Sequence, residues 1–222
     1  MKVVVKLSGS LFGPELEGLD PFFELFSSLH EKGVKLAIVT GGGEVARRYI
    51  GFARRHGCDE SSLDEIGIAV SRLNARLFAS GLGDLAYPRI PTSLEEVGEA
   101  FGSGRIVVLG GYHPGFSTNA VAALTAERVR ADLLVNATDV EGIYDSDPRV
   151  FKDAKLLKRV KVAELTAMLQ SKGYGAGEYE LMDLVALKVI QRSKIRTRVV
   201  LCEPEAIRRA IEGEEVGTEI VP

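Results

Sequence analysis

The stretch Val34-Lys35-Leu36-Ala37-Ile38-Val39-Thr40-Gly41-Gly42-Gly43-Glu44-Val45-Ala46-Arg47 decides the fold. Val34 to Val39 is short, apolar and rich in β-branched residues, which predicts a buried strand. Thr40-Gly41-Gly42-Gly43 then breaks it, and Glu44 to His56 reads as a helix. A strand that runs through glycines into a helix leaves the first N–H groups of that helix unpaired beside bare backbone, the raw material of an anion site.

Working outward, Lys2 to Leu7 is another almost continuously apolar strand, ending in Ser8-Gly9-Ser10. Between the two strands, Phe22, Leu25, Phe26 and Leu29 recur at helical spacing within Leu19 to Lys32, and Gly33 supplies the stop. Downstream, helices are predicted from about Asp64 to Ser80 and from Ser93 to Phe101. A strand from Arg105 to Leu109 carries Gly110-Gly111-Tyr112-His113-Pro114-Gly115 at its end, and a helix from Thr118 to Arg130 follows. Asp132 to Ala137 is a further strand, with the polar loop Thr138-Asp139-Val140-Glu141-Gly142-Ile143-Tyr144 and the turn signal Asp147-Pro148 beyond it. The last third offers two helices, Val162 to Gln170 and Tyr179 to Arg192, and strands near Arg198 to Cys202 and Thr218 to Val221.

Strands alternating with helices predict an α/β fold with a mostly parallel sheet covered on both faces, because parallel neighbours need crossover connections. The 222 residues contain no internal repeat and no interior linker rich in Pro, Gly and Ser, so a single domain, residues 1–222, is expected. Lys and Arg number 28 against 31 Asp and Glu, a net charge of −3. That balance argues against a nucleic-acid or anionic-membrane partner and makes any phosphate site a local arrangement. The apolar start Val3-Val4-Val5 is interrupted at once by Lys6, and no later run reaches spanning length, so a cytoplasmic protein is expected. Cys58 and Cys202 share no metal-ligand spacing, and both thiols are expected to be buried rather than reactive.

In open parallel sheets the ligand crevice lies beyond the carboxyl ends of the strands. Arg47, about one turn into the helix after the triple glycine, is near enough for its guanidinium fork to reach a phosphate. Lys6, at the end of the first strand, offers a second cation to the same crevice. Phosphoryl transfer needs such groups to offset repulsion and spread charge. The same glycines also read as G-x-G-x-x-A in Gly41, Gly43 and Ala46, a dinucleotide fingerprint; Asp64 has the spacing of its acidic partner but opens a helical stretch instead. No G-x-x-x-x-G-K-[ST] motif occurs. His113 is a candidate base, although a histidine this near Gly and Pro more often donates to a turn or faces water. Tyr144 is compatible with base stacking or with the core, and Asp147 with a ribose hydroxyl or with opening a turn at Pro148.

Together these motifs resemble the amino acid kinase family, and within it the archaeal-type uridylate kinase branch, over nearly the whole chain. The resemblance is carried by Val5-Lys6-Leu7-Ser8-Gly9-Ser10, Gly41-Gly42-Gly43 with Arg47, and Asp64 before Ile66-Gly67. It continues through Gly110 to Thr118, Thr138 to Tyr144 and Asp147-Pro148. It implies a three-layer α/β/α sandwich and transfer of the γ-phosphate of ATP to UMP, giving UDP and ADP within pyrimidine nucleotide (CTP) biosynthesis. Mg²⁺ accompanying ATP and a homohexameric assembly are implied with it.

Carried over by position, Lys6 and Arg47 would be catalytic. Gly9, Ser10, Gly43 and Arg47 would hold the ATP phosphates, with Thr138, Asp139, Tyr144 and Asp147 around its base and ribose. Gly42, Asp64, Tyr112, His113, Pro114, Gly115, Phe116, Ser117 and Thr118 would hold UMP. No protein metal ligand is implied.

The chain departs from the pattern twice: Asn119 stands where many members place an aspartate, and Asp139-Val140-Glu141 where the family usually reads Asn-Val-Asp. Lys188 is a further cation, as in acetylglutamate-directed relatives, or a solvated helix residue. Competing readings are a kinase of this fold with another acceptor, a non-catalytic nucleotide-binding protein, and an NAD(H)-dependent oxidoreductase.

Overall fold

The computed structural model describes residues 1–13, 16–171 and 182–222. Strands β1 (Lys2–Leu7), β2 (Lys35–Thr40), β3 (Val107–Leu109), β4 (Leu133–Thr138), β5 (Arg159–Lys161), β6 (Thr197–Leu201) and β7 (Thr218–Val221) form one sheet in the order β3-β2-β1-β4-β6-β7-β5. Every pairing is parallel except β6 with β7. β1 lies between β2 and β4, with Lys6 level with Val39 on one side and Asn136 on the other. The loops after β1, β2 and β4 therefore leave the sheet side by side at its carboxyl edge.

Successive residues of each strand serve opposite cores, as the two-residue period of a strand demands. Val4, Ala37, Val39, Val107, Leu109, Leu134 and Val199 pack against α4 (Leu94–Gly102), α5 (Thr118–Val129), α6 (Val162–Ser171) and α7 (Leu184–Ser193). Val3, Val5, Leu36, Ile38, Val108, Leu133 and Val135 pack against α1 (Asp20–Glu31), α3 (Glu60–Leu82) and α8 (Pro204–Glu212). The result is the expected three-layer sandwich. Helix α2 (Gly43–Arg55) buries only Ala46 and Ala53 and lies beside α3.

The departures from the sequence reading have local causes. Helix α3 begins at Glu60 because Asp59 accepts the Ser62 N–H at 3.1 Å as its cap, so Asp64 sits about one turn inside the helix rather than at its start. Helix α8 was not predicted; it is short and charged, and buries only Ile207, Ala210 and Ile211. Strand β5 also escaped the reading, because only Val160 of its three residues is buried. Helix α7 starts at Leu184 behind an Asp183 cap, and residues 179–181 of the expected helix lie outside the described residues. Cys58 is exposed, against expectation, because the turn between α2 and α3 carries it to the surface; Cys202 is partly buried.

Phe78 of α3 is fully buried and meets the rings of Phe12, Phe23 and Phe26. Phe78→Ala is expected to cost about 3–5 kcal/mol in denaturant unfolding, through lost transfer energy and a residual cavity. Asp59→Ala should cost only about 1 kcal/mol, the worth of a helix cap.

Candidate active site

The site begins with two backbones in contact. A Cβ on Gly9 would lie 2.2 Å from the Gly43 nitrogen, and one on Gly43 would lie 2.0 Å from the Gly9 carbonyl oxygen. Gly43 also has φ +65°, a left-handed conformation that side chains resist. The loops after β1 and β2 can meet this way only because both are bare. Ser8 caps the short 3₁₀ turn Gly9–Phe12 by accepting the Ser10 N–H at 3.3 Å.

Helix α3 holds the loops after β2 and β3 from behind. Asn74, buried, donates its amide to the Gly41 carbonyl at 2.8 Å. Ser71, also buried, accepts the Gly111 N–H at 2.8 Å, and its own carbonyl accepts from the Thr40 hydroxyl at 2.8 Å. Arg72 reaches the carbonyls of Gly111 and Tyr112 at 2.8 and 2.5 Å. The sequence reading missed these three residues. Their one signal was polar side chains standing beside Val70 and Ala75 on a helix with an apolar face.

A cleft of about 240 Å³ opens in front of the glycines, lined by Gly42, Gly43, Arg47, Asp64, Phe116, Ser117 and Thr118 among others. The amino ends of α2 and α5 both face it, so two helix dipoles present partial positive charge to one space. Arg47 is exposed and makes no ion pair or hydrogen bond among the described residues. On the opposite wall, the Asp64 carboxylate accepts the Gly115 N–H at 2.8 Å and so anchors the Gly110–Thr118 loop. Ser117 caps α5 through the N–H groups of Asn119 and Ala120, each at 3.1 Å, and donates its hydroxyl to Asp183, the cap of α7.

Other residues of that loop are committed elsewhere. The Tyr112 phenol is turned into the core, where it pairs with Thr125 at 2.8 Å and burial pushes its pKa up to about 12. Any contact it makes in the cleft is through its backbone. His113 places Nδ1 3.1 Å from the Pro114 carbonyl and its ring edge-on to Phe116, the turn-pinning arrangement rather than a poised base.

Lys6 points to the same edge. Burial pushes its ammonium pKa down, and the charges of Cys202 and Asp139 pull it back up. Burial also pushes the Cys202 thiol up to about 11, while a hydrogen bond from Ser8 and the Lys6 charge oppose the shift. Asp139 accepts from both the Ser8 hydroxyl and the Ser10 hydroxyl, the latter at 3.1 Å. Thr138 is buried, with its carbonyl bonded to the Cys202 N–H at 2.7 Å.

Tyr144 and Asp147 stand apart from this cleft. Tyr144 bonds Glu141 at 3.3 Å, and burial followed by the Glu141 charge raises its pKa. Asp147 opens a turn, accepting the Arg149 N–H at 3.0 Å and pairing with its guanidinium at 3.2 Å. Lys188 is exposed in a second groove with Tyr112, His113 and Leu184, away from Arg47 and the glycines.

The donor set fits a phosphate-bearing nucleotide, since the glycine turn, two helix amino ends and the Arg47 guanidinium offer N–H groups and positive charge to one cleft. The Asn119 side-chain carbonyl, buried at the start of α5 with no hydrogen-bond partner, faces the same requirement for a donor. Among the described residues no group of three or more His, Cys, Asp or Glu is placed to hold a metal.

Comparison with known proteins agrees with this geometry. The model of the amino acid kinase family matches residues 1–201. The uridylate kinase of Sulfolobus acidocaldarius is 43% identical over 226 residues, covering all of both chains. That of Hyperthermus butylicus is 45% identical over 220 residues, covering 98% of this chain and 97% of its own. The crystal structure of uridylate kinase from Archaeoglobus fulgidus superposes with a TM-score of 0.90 at 40% identity over the whole of both chains. With the sheet, the paired glycine loops and these full-length relatives in agreement, the chain belongs to the amino acid kinase family.

Proposed function

We propose that the chain is a uridylate kinase, transferring the γ-phosphate of ATP to UMP. The observation that carries this reading is the convergence on one cleft of the Gly9–Gly43 apposition, the amino ends of α2 and α5, and Arg47, with Asp64 opposite. Two phosphate-bearing ligands can meet there only if their mutual repulsion is offset, and these groups supply the offset. A UMP phosphate oxygen attacks the γ-phosphorus, the bond to the β-phosphate oxygen breaks, and UDP and ADP leave.

In this reading Gly9, Ser10, Gly43 and Arg47 bind the ATP phosphates, and Lys6 stabilises the charge on the transferring group. Gly42, Asp64 and the Gly115 to Thr118 backbone receive UMP, with Asp64 accepting from its ribose. No side-chain base is required, because positioning and charge neutralisation suffice for phosphoryl transfer. Mg²⁺ carried by the nucleotide would supply further neutralisation of phosphate charge. The reading includes one domain over residues 1–222, a cytoplasmic setting and a place in pyrimidine nucleotide synthesis. No helix among the described residues is long and apolar enough to cross a membrane. It also includes a homohexamer, for which the exposed Tyr49 and Phe52 of α2 and Leu73 and Leu77 of α3 offer apolar contact surface.

The reading is tested by incubating the protein with ATP, Mg²⁺ and a panel of acceptors. UDP formation from UMP supports it, and phosphorylation of another acceptor without UDP overturns it. Lys6→Ala should lower kcat by roughly 10²–10³-fold with little change in UMP binding, since its work is in the transition state. A KM effect alone would remove Lys6 from the chemistry. Only protonated Lys6 is active, and burial lowers its pKa, so kcat/KM should fall as pH rises through a value below the ordinary lysine range. Lys6→Arg should abolish that alkaline limb. Asp64→Asn should raise KM for UMP by about tenfold or more and leave KM for ATP unchanged, as loss of a charged hydrogen-bond acceptor requires.

A further inference from the structure

We propose that Asp139 is a positioning residue for the phosphate loop rather than a contact to the nucleotide's base or ribose: its carboxylate clamps Ser8-Gly9-Ser10 against the triple glycine and sets the charge environment of Lys6. The proposal rests on the kinase reading for its catalytic consequence, but its geometry stands alone.

The loop after β1 is gripped from two sides. On one side Gly9 lies backbone to backbone against Gly41 and Gly43, a contact that fixes distance but supplies no side chain to hold it. On the other side one oxygen of Asp139 accepts from Ser8 and from Ser10, and the Ser10 hydroxyl also donates to the Ser8 hydroxyl at 2.8 Å. The Ser8 oxygen in turn accepts the Ser10 N–H. One carboxylate oxygen thus gathers the two hydroxyls that flank Gly9. Hydrogen bonds to an ionised acceptor are roughly twice as strong as neutral ones, which suits a clamp that must survive exposure to water.

The strand register brings in Lys6. It lies level with Asn136 on β4, so the ends of β1 and β4 place Lys6 two residues before Ser8 and Asn136 three residues before Asp139. Two titratable groups act on the ammonium: Cys202 just beyond β6 and Asp139 just beyond β4. Burial pushes the thiol up and so favours its neutral form, which leaves the Asp139 carboxylate as the neighbour that favours a charged Lys6. The chain carries this carboxylate where the family pattern has an amide. An amide at 139 would still accept from Ser8 and Ser10 but would not favour a charged Lys6.

That difference separates the two parts of the role. Asp139→Asn keeps the acceptor and removes the charge, whereas Asp139→Ala removes both. The ¹³Cε resonance of Lys6, assigned by its loss in Lys6→Arg, is titrated in protein without nucleotide. The Lys6 midpoint should move to lower pH in both variants, and the difference from the unsubstituted protein should shrink in high salt. In turnover with ATP and UMP, Asp139→Ala should raise KM for ATP several-fold and lower kcat. Asp139→Asn should leave KM for ATP near its original value and shift the alkaline limb of kcat/KM to lower pH.

An unchanged Lys6 midpoint in Asp139→Asn overturns the electrostatic part. An equal rise in KM for ATP in both variants, with no shift of the alkaline limb, overturns the proposal in favour of a base or ribose contact. If the unsubstituted protein makes no UDP, the kinase reading fails while the Lys6 titration still decides this one. Unfolding midpoints within error of the unsubstituted protein are the control for folding.

Discussion

The site depends on one close approach: Gly9 and Gly43 stand where any Cβ would collide with the opposite backbone. Adjacent parallel strands set their ends about 5 Å apart, too close for two loops bearing side chains to fold over one another. Removing the side chains lets the loop after β1 lie on the turn that opens α2, and the N–H groups there face outward. The order of the sheet follows from the same requirement, because β1 must neighbour β2 on one side and β4 on the other to gather three loops at one edge.

Bare backbone has no means of holding itself in place, and the surrounding side chains supply it. Helix α3 is the principal support. Its buried Asn74 and Ser71 satisfy the Gly41 carbonyl and the Gly111 N–H, groups that would otherwise be buried without partners. An apolar helix in that position would bury more hydrocarbon but leave those groups unpaired, at a cost of about 1–3 kcal/mol each. Asp64, on the same helix, reaches the Gly115 N–H, so one rigid element sets the spacing between the glycine turn and the Gly110–Thr118 loop.

Charge is arranged as economically as backbone. The protein is slightly acidic overall, yet the cleft collects two helix amino ends and Arg47, with Lys6 near the end of the neighbouring strand β1. Burial of Lys6 works against its charge, and the residues around it decide how far. A cation that is poorly solvated before a nucleotide arrives interacts more strongly with a phosphate than one already surrounded by water.

Much of this was legible in the order of residues. Apolar runs ending in glycine, at β1, β2 and β3, announced a parallel sheet with its chemistry at the carboxyl edge. Gly42, Gly43, Arg47, Asp64 and Ser117 do line one cleft. Periodicity failed where burial was slight, as in β5 and α8, since a segment that buries one to three residues leaves too weak a pattern to read. The sequence by itself determined the six strands other than β5, where the backbone is bare and which cations are available. Only the tertiary structure decided that Tyr112 turns inward, that Asp147 caps a turn, that Asn74 holds the Gly41 carbonyl and that Asp139 grips Ser8 and Ser10 across 131 and 129 positions of chain. The physical reason is that a polar side chain's partner is set by which loops the sheet brings together, and that order is not written in any local run of residues.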